Sequence, residues 1–165
     1  MFREMRRSKQ LLPPADAEAL LKAGTSGVLA VSGDGGYPYA VPLSYVYHEG
    51  KLYFHCAKAG HKLDAIVRNP KGSFCVIGQD QVVPAEYTSY FRSVIAFGTL
   101  RVLEDAGEIR RAIQVLSDRY APLEPPERRD AVIDRELAAL CILEMTVEHL
   151  TGKEAIELVR QRKQD

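Results

Sequence analysis

The sequence predicts a mainly β domain with added helices, built on six twisted, mostly antiparallel strands that close into a barrel or a partly open one. Three observations carry this expectation. Runs rich in β-branched and aromatic residues recur along the chain and are joined by short turns, which favour antiparallel pairing. Those runs are apolar on both faces, and a flat sheet would leave one such face in water. Helical periodicity is confined to short segments and a late insertion.

The totals agree with one domain over residues 1–165. The chain is 46% apolar and 27% charged, enough for a core without disulfides. Basic and acidic residues balance at 22 each, so no basic face for nucleic acid is expected. No apolar run approaches a membrane span, and the opening MFREMRRSKQ lacks the apolar centre of a signal peptide. The expectation is a cytoplasmic protein. Cys56, Cys75 and Cys141 form no C-x-x-C pair and sit in strand-like runs, where a reduced core cysteine is the default. His48, His55, His61 and His149 have no metal-ligand spacing, so no metal is expected.

Asp16 is a plausible N-cap for a short helix through Ala23, closed by Gly24. Residues 27–32 form the first strand. Gly33-Asp34-Gly35-Gly36 lies between two strand-like runs and reads as a hairpin turn, not a dinucleotide loop. Residues 37–48 are the second strand, with Tyr39, Val41, Leu43, Tyr45 and Tyr47 on one face. Pro42 in its middle cannot donate to the ladder and marks an edge or a bulge. Such a break also leaves backbone groups free to bond a planar ligand.

Residues 52–57 are the next strand. Gly60 breaks it, and a helix of about two turns follows with Leu63, Ile66 and Val67 on one face, ended by Asn69-Pro70. His61-Lys62 in its first turn is unusual, because a helix N-terminus already carries partial positive charge. A solvated lysine beside a surface histidine fits this spacing; so does a phosphate or carboxylate site. Residues 72–78 form a strand, and a polar loop runs through Pro84. Residues 87–103 form a long strand with a bulge at Gly98. Ile109, Ala112, Ile113 and Leu116 follow helical spacing as far as Tyr120. A stiff connector over 122–126 leads to a second helix over 127–139, with Val132 and Leu137 on its apolar side. Residues 140–150 close the sheet, Thr151-Gly152-Lys153 forms a turn, and the tail is weakly helical.

The ordered motifs Gly36-Tyr37-Pro38, Val41-Pro42-Leu43-Ser44-Tyr45, Tyr53-Phe54-His55-x-Ala57, Gly60-His61-Lys62-Leu63-Asp64, Asn69-Pro70, Ser93-Val94-Ile95-x-x-Gly98 and Thr151-Gly152-Lys153 span roughly residues 5–153. Together they resemble the FMN-binding split-barrel flavoproteins related to pyridoxamine 5′-phosphate oxidase, and most of all their nitroimidazole-resistance (NimA-like) branch. The resemblance implies a homodimer with FMN at the subunit interface. It places Lys62 and His61 at the FMN phosphate and Val41, Pro42, Leu43 and Ser44 along the isoalloxazine. His55 would stand beside the flavin or its substrate as the catalytic group, and Ser93 and Val94 would approach the cofactor.

The implied activity is FMN-dependent reduction of small planar acceptors, nitro compounds such as 5-nitroimidazoles among them. NAD(P)H would bind only transiently as electron donor. The alternative is a non-catalytic flavin- or haem-binding protein, a redox sensor or cofactor carrier. Two features depart from pyridoxamine oxidases. Lys62-Leu63 stands where they carry an Arg-Lys pair, and the tail Gln161-Arg162-Lys163-Gln164-Asp165 does not reproduce their basic substrate-binding segment.

Overall fold

The computed structural model describes residues 1–136 and 140–164. Among them the chain forms seven strands: β1 (Ser26–Ser32), β2 (Pro38–Ser44), β3 (Val46–His48), β4 (Lys51–Ala57), β5 (Lys71–Val83), β6 (Thr88–Val102) and β7 (Leu140–Glu154). Five α-helices accompany them: α1 (Pro14–Ala23), α2 (His61–Arg68), α3 (Ala106–Tyr120), α4 (Pro126–Glu136) and α5 (Ile156–Arg162). The strands make one sheet in the order β2-β1-β5-β6-β7-β4-β3, antiparallel throughout.

The sheet has seven strands rather than the expected six because the run over 37–48 breaks at Tyr45. Its two halves lie at opposite edges of the sheet, yet a single residue joins them. The chain therefore brings the two edges together at this one point, while β2 and β3 remain the edges of the hydrogen-bonded sheet. Tyr45 is fully buried, edge-on to Phe74 at 4.7 Å, and its hydroxyl donates to the Leu21 carbonyl at 2.6 Å. At the break its N–H lies 3.2 Å from the Thr25 carbonyl and 2.9 Å from the Tyr120 hydroxyl. That hydroxyl in turn reaches the Tyr45 carbonyl at 2.7 Å and also the Thr25 carbonyl. One hydroxyl proton serves one carbonyl at a time, so Tyr120, the last residue of α3, occupies the ladder positions that the break vacates.

The helix starts and strand ends differ from expectation in three places. Pro13 flanks α1 with Pro14 at its first turn, and Asp16 lies inside that turn, where its charge suits the helix dipole instead of capping it. β5 passes through Gly78 with a register shift and runs on to Val83, so the expected polar loop is a two-stranded hairpin arm. β7 continues through Thr151-Gly152-Lys153, which pair with Ile95, Val94 and Ser93, so no turn forms there. The bulge at Gly98 is present. A Cβ at Gly98 would stand 2.0 Å from the Thr146 carbonyl oxygen, so only glycine allows β6 and β7 to approach here. Of the expected helix over 127–139, residues 126–136 are observed; Leu137 and its two successors lie outside the described residues.

Period-two alternation sorts the side chains into two cores. Leu29, Phe54, Phe74, Val94, Leu143 and Met145 fill the barrel. A smaller cluster joins the outer side of the sheet, through Val46 and Ile142, to Ala112, Ile113 and Leu116 of α3 and Ile133 of α4. Helix α2 packs on β1 and β6 and begins where β4 ends, so its first turn lies at one end of the barrel.

Candidate functional site

The first turn of α2 gathers most of the anticipated residues. Gly60 precedes it with φ +131°, a conformation open to glycine alone, and a Cβ there would meet no atom within 4 Å. The approach to the helix start is therefore open. Leu63 and Asp64 donate to the Gly60 carbonyl at 2.9 and 3.2 Å, so the N–H groups of His61 and Lys62 precede the first helical bond. The His61 imidazole lies 4.1 Å from the Tyr39 ring on β2. Its Nε2 is buried without a hydrogen-bond partner among the described residues, although Asp34 Oδ2 stands 3.5 Å away. Arg68 holds that carboxylate at 2.5 Å, and Asn69 donates to Ser32 at 3.1 Å, so the 33–36 loop is fastened along α2.

Lys62 is half-buried and stands beside the Cys56 thiol at the end of β4. Burial pushes that thiol up to about 11, with the Lys62 ammonium opposing the rise and Cys141 adding to it. This donor set suits a phosphate: an ammonium, an imidazole and two free N–H groups at a helix start. The carboxylate competing for it is already paired with Arg68.

Val41 and Leu43 on β2 are half-buried against the barrel core, and Pro42 and Ser44 face outward. β2 is an edge strand, as Pro42 suggested, and Pro42 pairs with Val28 on its only covered side. Tyr39 joins this strand to His61, so residues 41–44 lead away from the α2 start. His55 is exposed and faces away from the core side of β4, opposite Ile142. Ser93 and Val94 are not brought to the same place. Val94 is fully buried in the barrel, and Ser93 pairs with Ile77 and Lys153. Tyr39, which the His61 ring meets, is level through Val31 and Gly72 with Gly98 on β6, and Ser93 lies five residues along β6 from Gly98, roughly 17 Å. His48 and His149 stay apart from the site; His149 stacks on Phe2 at 4.6 Å.

Asp34, Tyr39 and Cys141 were not anticipated here. Asp34 lies in a turn whose composition explains it fully, and Tyr39 and Cys141 occupy strand positions that read as core. Only the packing of α2 and the β4–β7 register bring them in.

On the other side of β4, Glu144 accepts from Lys51 at 2.9 Å and from Arg101 at 2.8 Å, in a cleft of about 370 Å³ under α3. Burial and the Glu144 charge push the Tyr53 hydroxyl up to about 12. Burial alone would raise the Glu144 carboxyl, but Arg101 and Lys51 outweigh it and hold it below its usual range. A carboxyl depressed in the folded state adds stability above its unfolded value, and that stability fades as pH falls through the folded value. The expected result is that Glu144→Gln flattens the loss of melting temperature between about pH 5 and 3. Parallel pH profiles for the two proteins would contradict this.

Among the described residues no helix is long and apolar enough to cross a membrane, and no cluster of three metal-ligating side chains occurs. A family model described as pyridoxamine 5′-phosphate oxidase matches residues 13–154. The fold is similar to that of a candidate 5-nitroimidazole antibiotic resistance protein from Bacteroides thetaiotaomicron, with 20% identity over 87% of this chain and 86% of that one and a TM-score of 0.72. It is also similar to an FAD-binding protein from Mesorhizobium loti (27% identity, 88% and 97% covered, TM-score 0.64). An FAD and heme binding protein from Mycobacterium smegmatis matches as well (23%, 89% and 73%, TM-score 0.72). No curated protein matches the chain in sequence.

Proposed function

We propose, for a chain that belongs to the pyridoxamine 5′-phosphate oxidase family, FMN-dependent reduction of small planar acceptors, nitro compounds such as 5-nitroimidazoles among them. The observation that carries this reading is the open, cation-lined start of α2 beside an edge strand. Lys62 Nζ, the His61 imidazole and the first free N–H groups of α2 hold the phosphate. The uncovered backbone of Val41, Pro42, Leu43 and Ser44 orients the ring system. Bound FMN supplies the redox chemistry, and the protein supplies position and electrostatics.

His55, exposed at the end of β4, is the acid–base group of this reading. No nicotinamide-binding motif accompanies the site, so NAD(P)H acts as a transient donor within the same pocket. A homodimer with FMN at the subunit interface is part of this reading, and Ser93 approaches the cofactor there. The similarity to an FAD-binding and an FAD and heme binding protein favours a second reading, a flavin or haem carrier without turnover.

The test is a visible spectrum after FMN addition and desalting, followed by NAD(P)H oxidation with an added nitro acceptor. Retained flavin bands with turnover above free FMN support the enzyme. Retained bands without turnover support the carrier, and a Soret band points to haem. Lys62→Ala is expected to weaken FMN binding about tenfold or more, because a charge-assisted phosphate contact is worth ~1.5–3 kcal/mol. Unchanged affinity in a fluorescence titration removes Lys62 from the phosphate site. Sedimentation at only the 18.4 kDa chain mass would count against the shared site.

A further inference from the structure

Cys56 on β4 and Cys141 on β7 are directly opposed in the antiparallel ladder. Opposed residues in such a ladder stand about 4.5–5.5 Å apart at Cα, within the roughly 4.4–6.8 Å that a disulfide spans. Both side chains belong to the cluster that fills the barrel, so they share a face, and the two thiols are near enough to hydrogen-bond. Cys56 is half-buried and Cys141 only 8% exposed, so a small reagent reaches Cys56 first.

We propose that Cys56 and Cys141 form a reversible dithiol–disulfide pair, a redox modification site adjoining Lys62 with a peroxide as its oxidant. The Cys56 sulfur attacks the peroxide O–O bond, becoming a sulfenic acid and releasing one water from hydrogen peroxide. The Cys141 sulfur then displaces the sulfenic oxygen, which leaves as a second water, and the S–S bond forms. The two sulfurs lose two electrons and two protons, and the peroxide gains them.

The disulfide ties the end of β4, which leads through Gly60 into α2, to the start of β7. The thiolate is the reacting form, and a thiol pushed up to about 11 by burial supplies little of it at neutral pH. Oxidation is therefore slow at pH 7 and speeds up by about tenfold per pH unit. Cys75 is an internal control. It pairs with Val28 and Ile95 on the far part of the sheet. Ile95 in turn faces Thr151, ten residues along β7 from Cys141, or roughly 30 Å.

The experiment exposes the full chain to hydrogen peroxide near pH 8.5, then denatures it, alkylates it and weighs it. Oxidised protein is expected to lose two hydrogens and accept one alkyl group in place of three, with Cys75 as the alkylated residue and thiol reductant restoring all three. Cys75→Ser is expected to keep the two-hydrogen loss, and Cys56→Ser and Cys141→Ser each to abolish it. Three alkylatable thiols after exposure about a thousand times longer than fully oxidises a dithiol peptide at the same pH would overturn the proposal. So would a bond that includes Cys75 or links two chains. None of these readouts involves flavin, so they stand or fall apart from the reading of Lys62.

Discussion

Replacing Tyr45 with alanine is expected to destabilise the fold by about 3–5 kcal/mol, the cost of emptying a buried aromatic site. Tyr45 is fully buried between α1 and Phe74, at the one point where the two edges of the sheet meet. Burial and the neighbouring Tyr120 push its hydroxyl far above the usual value, so it stays a donor to Leu21 at any ordinary pH. Tyr45→Phe keeps the packing and leaves the Leu21 carbonyl unpaired, which costs about 1–2 kcal/mol. The pair of variants separates packing from hydrogen bonding. Urea unfolding measures both, with the midpoint shift ordered Ala beyond Phe. Equal shifts would mean that the hydroxyl and not the ring holds the closure.

The second large effect is expected at Glu154, which has no exposed surface and is held by Arg92 at 3.2 Å and Arg162 at 2.7 Å. This pairing joins β6, the end of β7 and α5. The arginine side chains are 41% and 37% exposed, so removing the carboxylate lets them turn to water at small cost. Removing both arginines strands a buried charge. Arg92→Ala combined with Arg162→Ala is expected to cost about 3–5 kcal/mol at pH 7, well beyond Glu154→Gln.

Urea midpoints of the two variants at pH 7 test this. A double variant no less stable than Glu154→Gln would show that Glu154 finds another partner.

Much of the architecture was legible in the residues because each signal was local. Alternation in 39–43 placed Tyr39, Val41 and Leu43 on one face, which the structure turns toward the core, Pro42 marked an edge, and Gly98 marked a bulge. Gly60 followed by His61-Lys62 marked an unusual helix start, and α2 begins there. The misread segments were those where a neighbour overrode local chemistry. Thr151-Gly152-Lys153 has the composition of a turn, but β6 offers it a ladder and Gly152 lets α1 lie close. The polar residues 79–81 read as loop, yet they pair with 90–92 in a hairpin arm where polarity is no obstacle.

The sequence by itself determined the fold class, most of the element order and the cationic start of α2. Those rest on period, turn chemistry and charge within a few residues. The tertiary structure decided where the second strand breaks, that Tyr120 satisfies the break, and that Asp34 sits against His61. It also decided that Cys56 faces Cys141 across 85 residues of chain. Alternation tells which face a side chain takes but not which strand lies opposite. Register is chosen by the closure of the whole sheet, and no window of the sequence contains it.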